Sequence, residues 1–178
     1  MTHVVAISGS LRAASTNAAL LRVASELAPR DMQFVFYDRI GELPHFNPDL
    51  DEDDDSPPEV VRDFRRLLID AAGIIICCPE YAHGVPGALK NAIDWLVSVG
   101  ALVGKPVLLL NASPAGGEHA QASLLHTLQV MNWNVLTEAS LTAPFLRKKL
   151  QPDGVLDDEN AAIKLRASLG ALAAAIGK

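Results

Sequence analysis

The sequence has few cysteines, few aromatic residues and no long hydrophobic run. Of its 178 residues, two are cysteines and 5% are aromatic. The longest apolar run, residues 71–78, has eight residues, whereas a membrane-spanning helix needs about 20. The first residues contain no basic cluster, and Arg12 interrupts the apolar stretch that a signal peptide would need. We therefore expect a cytoplasmic protein without a membrane span.

A basic surface is also missing. The chain has 15 Lys and Arg against 21 Asp and Glu, which gives a net charge of −6. Seven of the acidic residues lie within residues 49–59, which leaves 15 basic against 14 acidic residues elsewhere. A nearly neutral body with one acidic segment has no field that would attract DNA or RNA, so we expect no nucleic-acid partner.

The acidic segment does not match a calcium-binding loop. If such a loop began at Asp51, its sixth residue would be Ser56 and its twelfth Arg62, where the motif needs Gly and Glu. The residues that follow indicate the start of a helix instead. Ser56 would be its N-cap, Pro57 would take the first helical position, and Glu59 would close a capping box.

Short apolar runs alternate with helical periodicity along the chain. The runs predict five strands, at residues 3–8, 32–37, 73–78, 107–110 and 134–136. Apolar pairs four residues apart predict a helix after each strand, at Leu20 and Ala24, Val60 and Phe64, Leu89 and Ile93, Leu124 and Leu128, and Leu165 and Leu169. Because strands that alternate with helices form a parallel sheet covered on both faces, we expect one α/β domain over residues 1–178.

The third predicted strand ends in two adjacent cysteines, Cys77 and Cys78. Neighbouring side chains of a strand point to opposite faces of the sheet, which suits neither a disulfide nor a shared metal ion. We interpret both residues as small buried thiols.

Three loops that follow strands contain residues that ordinary turns do not need, at the edge where doubly wound sheets bind ligands. The first loop, residues 8–17, combines hydroxyl groups, a glycine and Arg12 with the start of a helix. The backbone amides of a helix start and an arginine fork both favour a phosphate group. We therefore predict an anion site there. The alternative is a capped helix beside a solvent-exposed Arg12.

Two common nucleotide-binding motifs are absent. The sequence has no GxxxxGK[ST] segment, which argues against a nucleoside triphosphatase. It has no GxGxxG segment either, because Leu11 stands where the second glycine would let a pyrophosphate approach the backbone. Asp38, at the end of the second strand, could still act as the ribose-binding acid of a dinucleotide fold. A single terminal phosphate suits the first loop better.

The second and third loops favour a flat ligand. Residues 78–87 contain two prolines and two glycines, which fix exposed amides and carbonyls, and Tyr81 offers a stacking surface. A stiff connection into the next helix explains Pro86 and Gly87, but it does not explain the segment Glu-Tyr-Ala-His before them. Residues 111–118 are mostly small and either leave room for a planar ring or form an ordinary turn.

Together these motifs resemble the NAD(P)H-dependent FMN reductases, a flavodoxin-like family that includes bacterial chromate and quinone reductases and azoreductases. The matching positions are residues 9–12, Ser15, Asn17, residues 79–81, 83–84, 86–87 and 89–92, Asp94 and Trp95. The element order extends the resemblance to the last helix. One departure is Ala82, because the family usually has Asn after the tyrosine. The lost side-chain hydrogen bond is worth on the order of 1 kcal/mol.

The resemblance implies a flavodoxin-like three-layer sandwich with a five-stranded parallel sheet in the order 2-1-3-4-5. It also implies non-covalently bound FMN, its phosphate held by the first loop and its flavin ring contacted by the second and third. The implied cofactor-binding residues are Ser10, Leu11, Arg12, Ser15, Thr16, Asn17, Pro79, Glu80, Tyr81, Ala82, His83, Gly84, Ser113, Gly116 and Gly117.

The activity that the resemblance implies is hydride uptake from NADPH or NADH, followed by reduction of quinones, chromate, azo or nitro compounds, or free flavin. The mechanism would be ping-pong, in a homodimer or homotetramer. We name no catalytic residue and no metal ligand. His83 and Tyr81 are candidates for lining the substrate pocket, whereas we expect His119 and His126 to be solvated or capping. Trp95 and residues 97–102 belong either to a subunit interface or to the core.

Two other functions stay open at this point. One is a flavodoxin-type electron carrier, and the other is a flavin-binding module without turnover. The carriers usually have a phosphate loop without arginine and a strongly acidic surface around the flavin. Here the acidic residues cluster mainly in one segment, which weighs against a carrier.

Overall fold

Strands and helices alternate along the chain, and all of the predicted elements are present. The strands are β1 (Thr2–Ser8), β2 (Met32–Tyr37), β3 (Gly73–Cys77), β4 (Pro106–Asn111), β5 (Asn134–Val135) and β6 (Leu141–Thr142). The α-helices are α1 (Thr16–Leu27), α2 (Glu59–Asp70), α3 (Gly87–Asp94), α4 (Glu118–Val130) and α5 (Glu159–Ile176). The computed structural model describes residues 1–52, 57–113, 116–142 and 158–177. None of the helices within these ranges is long and apolar enough to cross a membrane.

The sheet has the order β2-β1-β3-β4-β5, and its neighbouring strands pair in parallel. This confirms the predicted flavodoxin-like order. The sequence analysis missed β6, which pairs with the end of β4, whereas β5 pairs with the beginning of β4. A 3-10 turn, Thr137–Ala139, separates the two short strands. The last position of the sheet is therefore one strand in two pieces, and each piece is too short to show a periodic pattern.

Alternating side chains of the central strands fill the core on both sides of the sheet. Val4 and Ala6 of β1 pack in the cluster that contains residues of α1 and α5, whereas Val5 and Ile7 pack with residues of α2, α3 and α4. Every residue of β3 is buried. Burial on both faces explains why this strand is a continuous apolar run in the sequence.

Cys77 and Cys78 are buried free thiols, which confirms the interpretation from the sequence. They belong to the clusters on opposite faces of the sheet. Burial raises the pKa of Cys78 to about 12 and holds the pKa of Cys77 well above its ordinary value. Neither thiol ionises near neutral pH.

The start of α2 differs from the prediction. The helix begins at Glu59 with Pro58 as its N-cap, and no side chain among the described residues caps it. The predicted N-cap, Ser56, lies outside the described residues. Pro57 does not take the first helical position, because a residue that precedes a proline is disfavoured from the helical region. The two successive prolines therefore delay the helix until Glu59.

Trp95 and residues 97–102, which the sequence analysis assigned either to a subunit interface or to the core, include both buried and exposed side chains. Trp95 and Leu102 are fully buried, and the Trp95 indole donates to the Pro44 carbonyl at 2.8 Å. Val97, by contrast, is 62% exposed. Trp95 and Leu102 therefore stabilise the chain's own core.

Arg65 of α2 is a buried cation with several partners. Its Nε and Nη2 donate to the Trp95 carbonyl at 2.8 and 2.5 Å, and Nη2 also donates to Ser98 at 3.2 Å. The same nitrogen lies 2.7 Å from the Asp51 carboxylate, whose side chain is nearly buried. The beginning of the acidic segment is therefore anchored by an internal ion pair.

We expect Arg65→Ala to lower the free energy of unfolding by about 3–5 kcal/mol, because it leaves the Asp51 carboxylate without its cation. Arg66→Ala is the matched control, because Arg66 lies on the same helix, is exposed, and contacts Asp63 at 3.6 Å. Such a surface pair contributes about 0–1 kcal/mol. Urea unfolding measures both values. Equal losses in the two variants would show that the internal pair contributes nothing special.

Candidate functional site

The loop after β1 offers hydrogen-bond donors to the solvent at the start of α1. Ser15 is the N-cap of α1, and its Oγ accepts from the Ala18 amide at 3.3 Å. The amide of Arg12 donates to Ser10 Oγ at 3.3 Å, which turns the loop. The Arg12 side chain is exposed, and no carboxylate within the described residues pairs with it. The loop therefore presents a free guanidinium next to a helix N-terminus.

Asn17 connects α1 to the ends of two strands. Its side chain is buried, and its Oδ1 accepts from the Ala112 amide at 3.1 Å and from the Cys77 thiol at 3.1 Å. The sequence analysis assigned Asn17 to a phosphate. The structure gives its side-chain oxygen an internal role, which leaves its Nδ2 as the group available to a ligand.

The loop after β3 contains a tight two-residue turn. Tyr81 and Gly84 exchange backbone hydrogen bonds at 3.1 and 3.0 Å. The two residues between them, Ala82 and His83, have positive φ angles of 50° and 58°. Positive φ at both central positions is the conformation of a type I′ turn, which favours Asn and Gly. The turn holds Tyr81 and His83 in fixed, exposed positions.

Tyr81 connects the turn to the first loop. Its side chain is 53% exposed, and its hydroxyl lies 3.1 Å from Ser10 Oγ. This contact joins the loops after β1 and β3 over the mouth of the cavity described below.

Glu80 caps a helix that has no cap of its own. The N-cap of α4 is Gly117, which has no side chain, and Glu80 Oε2 accepts from the Ala120 amide at 2.9 Å instead. This hydrogen bond, with smaller contributions from His119 and His83, holds the pKa of the Glu80 carboxyl below its ordinary value. The carboxylate therefore stays ionised at neutral pH.

Two histidines lie next to this carboxylate. His83 Nδ1 is 3.5 Å from Glu80 Oε1. The rings of His83 and His119 meet edge to face, with centroids 4.4 Å apart. His119 lies in the first turn of α4, so that the pair connects the loop after β3 to the start of that helix. His126 is exposed farther along α4.

The loop after β4 is fixed by Asn111. Its Oδ1 accepts from the Ser113 amide at 2.7 Å, and its Nδ2 donates to the Gly116 carbonyl at 2.6 Å. Gly117 has a φ of +69°, and a Cβ there would lie 2.3 Å from Asn111 Nδ2. Ser113 Oγ in turn accepts from the Glu80 amide at 3.2 Å. The loop after β3 is thus joined to the loop after β4 by a hydrogen bond between the Glu80 backbone and the Ser113 side chain.

The three loops enclose one cavity of about 220 Å³. Its lining residues are Ser10, Arg12, Ala14, Ser15, Thr16, Asn17, Pro79, Glu80, Tyr81, Ala112 and Ser113. A closed ligand pocket has roughly 300–1,000 Å³, so a larger ligand would lie only partly inside. The half formed by the first loop offers hydroxyls, helix-start amides and one cation, which suits a phosphate.

Several predicted residues lie outside the lining. Leu11 is 61% exposed and packs towards Gly41. Ala82, His83 and Gly84 form the turn beside Tyr81, and Gly116 and Gly117 belong to the loop fixed by Asn111. These residues therefore do not line the cavity.

A larger cavity, of about 670 Å³, lies beside α2 and the turn at residues 98–101. It shares no lining residue with the first cavity. Its Arg65 is already paired with Asp51. Within the described part of the chain, no group of three or more His, Cys, Asp and Glu side chains is arranged to hold a metal ion.

Sequence reasoning missed three contributors to the site. They are Asn111, His119 and the carboxylate of Glu80, which had been assigned to a ligand mainly through its backbone. Gly117 was one available signal for such a contact. A glycine at the start of a helix has no side chain to accept from the first amides, so another residue is free to cap the helix. The partner itself lies 37 residues away in sequence from Gly117, and no local pattern identifies it.

Comparisons with known proteins identify the family of the chain. The family model described as NADPH-dependent FMN reductase matches residues 2–146. A quinone reductase of Escherichia coli is 32% identical over 154 residues, covering 84% of this chain and 81% of that protein. An NAD(P)H:quinone oxidoreductase of Solanum tuberosum is 35% identical over 96% of this chain and 91% of its own.

A solved structure shares the fold over nearly the full length. It is FerB, a flavoenzyme NAD(P)H:(acceptor) oxidoreductase from Paracoccus denitrificans, with a TM-score of 0.88 and 30% identity. The match covers 99% of this chain and 98% of that protein.

The type I′ turn generates a prediction about stability. Ala82 adopts a left-handed conformation that alanine disfavours, whereas Asn and Gly adopt it readily. We expect both Ala82→Asn and Ala82→Gly to raise the free energy of unfolding by roughly 0.5–1 kcal/mol. Chemical denaturation without added ligand measures the change. A loss of stability in both variants would contradict the assignment of the turn.

Proposed function

Because the chain belongs to the NADPH-dependent FMN reductase family, we propose that it is an FMN-dependent oxidoreductase that uses NAD(P)H to reduce quinones. The relatives named quinone reductase and NAD(P)H:quinone oxidoreductase support the choice of acceptor. The single observation that carries the proposal is the cavity at the ends of β1, β3 and β4, with Arg12, which pairs with no described carboxylate, at one end and a rigid turn at the other.

The donors of the first loop fit the FMN phosphate. Arg12 would bind it through its guanidinium, and Ser10 and Ser15 lie in the same cavity lining. The amides of Thr16 and Asn17 lie at the N-terminus of α1, where a negative charge is stabilised. The one carboxylate of the lining, Glu80, accepts a hydrogen bond from the Ala120 amide, so that its Oε2 faces the start of α4.

The second and third loops would hold the flavin ring. Pro79 and the turn beside Tyr81 offer a rigid backbone on one side, and Ser113 with Gly116 and Gly117 lies on the other. When bound, FMN would supply hydride exchange between the nicotinamide and the acceptor. Because the cavity is smaller than a closed pocket, one side of the ring would stay open. The nicotinamide and the acceptor would then use that side in turn, in a ping-pong mechanism.

We extend the proposal to acceptors other than quinones. Chromate, azo and nitro compounds and free flavin are further acceptors that an open ring face would admit. We also propose a homodimer or homotetramer, with the exposed Val97 and Val103 as contact residues.

The function is tested by absorbance and turnover. We expect the purified protein to bind FMN, to lose the visible absorbance of the oxidised flavin when NADPH or NADH is added under argon, and to recover it with 1,4-benzoquinone. Steady-state initial rates at several fixed quinone concentrations should give parallel double-reciprocal lines. A protein that binds FMN but resists both nicotinamides would be a binding module. A stable one-electron-reduced form without quinone turnover would indicate an electron carrier.

Arg12 provides a separate test of the phosphate site. We expect Arg12→Ala to weaken FMN binding by about 1.5–3 kcal/mol, the range for a hydrogen bond to a charged group. Arg22→Ala is the control, because Arg22 is an exposed arginine of the same helix region that lies outside the cavity lining. Fluorescence titration of apoprotein with FMN measures both affinities. Equal affinities of Arg12→Ala and the parent would overturn the assignment.

A further inference from the structure

The exposed imidazole of His83 follows two residues of the cavity lining, Glu80 and Tyr81, but is not itself part of that lining. It projects from the second central position of the type I′ turn, and 77% of its side chain is exposed. A histidine in a left-handed conformation is uncommon. The turn fixes where its Cβ points, and the ring has contacts on two sides.

Those contacts orient the ring. On one side, Nδ1 faces the Glu80 carboxylate at 3.5 Å. On another side, the His119 ring meets it edge to face. Glu80 is itself held by the Ala120 amide. An anchored carboxylate next to Nδ1 favours a proton on that nitrogen, which leaves Nε2 to exchange protons elsewhere.

The overall reaction needs a proton beyond the hydride. Reduction of a quinone to a hydroquinone takes up two electrons and two protons, whereas NAD(P)H supplies two electrons and one proton. The balance is NAD(P)H + H⁺ + quinone → NAD(P)⁺ + hydroquinone. The remaining proton must reach a quinone oxygen at the open side of the site, and water or a side chain can deliver it.

We propose that His83, oriented by Glu80 and His119, is the general acid that protonates the quinone oxygen. This inference rests on the proposed function. The Nε2–H bond of the His83 imidazolium breaks as the new O–H bond of the hydroquinone forms. The neutral ring keeps its proton on Nδ1, facing Glu80. Because the side chain is exposed, Nε2 regains a proton directly from solvent.

The titratable groups in contact with His83 come from two elements. Glu80 belongs to its own loop and is a carboxylate, and His119 belongs to α4. Tyr81 is the other titratable residue of the turn, and its hydroxyl bonds to Ser10. Glu118 precedes His119 in the first turn of α4. His119 acts as a positioning residue, since its ring lies against His83.

The test compares two acceptors in the FMN-loaded protein. Ferricyanide accepts electrons without a proton, whereas 1,4-benzoquinone needs one. We expect His83→Asn to lower kcat/KM for benzoquinone about 10–100-fold and to leave ferricyanide reduction within about twofold of the parent. Asn suits the left-handed position, so that the turn is kept. The parent's quinone rate should fall as the pH rises, because His83 must carry its Nε2 proton to act as the acid, and the variant should lose this dependence.

Two further variants separate the roles of the two rings. His119→Phe keeps an aromatic edge but cannot titrate, and it should preserve the pH dependence of quinone reduction. Glu80→Gln should reduce the fraction of neutral His83 that carries its proton on Nδ1, as measured by ¹⁵N NMR of the protein without cofactor. Unchanged tautomers in Glu80→Gln would overturn the orienting role of the carboxylate.

The outcomes distinguish this inference from the function on which it rests. If the parent reduces neither acceptor with NAD(P)H, the proposed function fails. If the parent reduces both and His83→Asn keeps the parent's quinone rate and pH profile, only the role of His83 fails. If His83→Asn does not hold FMN, the solvent isotope effect of the parent decides. A solvent isotope effect on quinone reduction that is absent from ferricyanide reduction supports the inference. Equal isotope effects with the two acceptors overturn it.

Discussion

The hydrogen bond from the Ala120 amide to the Glu80 carboxylate joins the two loops on which the candidate site depends. A parallel sheet brings the loops after β3 and β4 to the same edge, but it does not set their separation. Gly117 leaves the start of α4 without a side-chain cap, and Glu80 fills that position from the neighbouring loop. A cap of this kind contributes about 1 kcal/mol, and the charge at a helix N-terminus adds to it.

Other hydrogen bonds between loops reinforce this one. Asn17 connects α1 to Ala112, and Ser113 accepts from the Glu80 amide. Each neutral hydrogen bond contributes only about 0.5–1.5 kcal/mol, so none of them holds the site alone. The sheet, by contrast, is stabilised by apolar side chains that are buried on both faces. Changes in the loops should therefore affect ligand binding more than they affect folding.

The fold followed from the sequence because burial and periodicity are local signals. The residues of β3 form an apolar run since both faces of that strand are covered, and all five predicted strands have lengths within two residues of the prediction. The strand β6 was missed because two residues have no period. The predicted start of α2 was wrong because Pro58 disfavours a helical conformation at Pro57, and this restriction outweighed the capping pattern. The three loops of the cavity could also be predicted from local sequence, since hydroxyl residues, Arg12, glycines and prolines directly follow the strands. The contacts of Glu80 and His119 join distant segments, and no spacing rule predicts them.

The two buried thiols have a consequence for the proposed reduction of quinones. Quinones are electrophiles that add to thiolates, and a thiolate is the reactive form of cysteine. The chain has only two cysteines, both enclosed at the end of β3, and burial keeps them protonated. Cys77 even contacts Asn17 of the cavity lining, yet neither sulfur offers a surface to the solvent. An acceptor that arrives at the open edge of the sheet therefore meets no nucleophilic sulfur, and under the proposed function a quinone would not arylate the protein at cysteine.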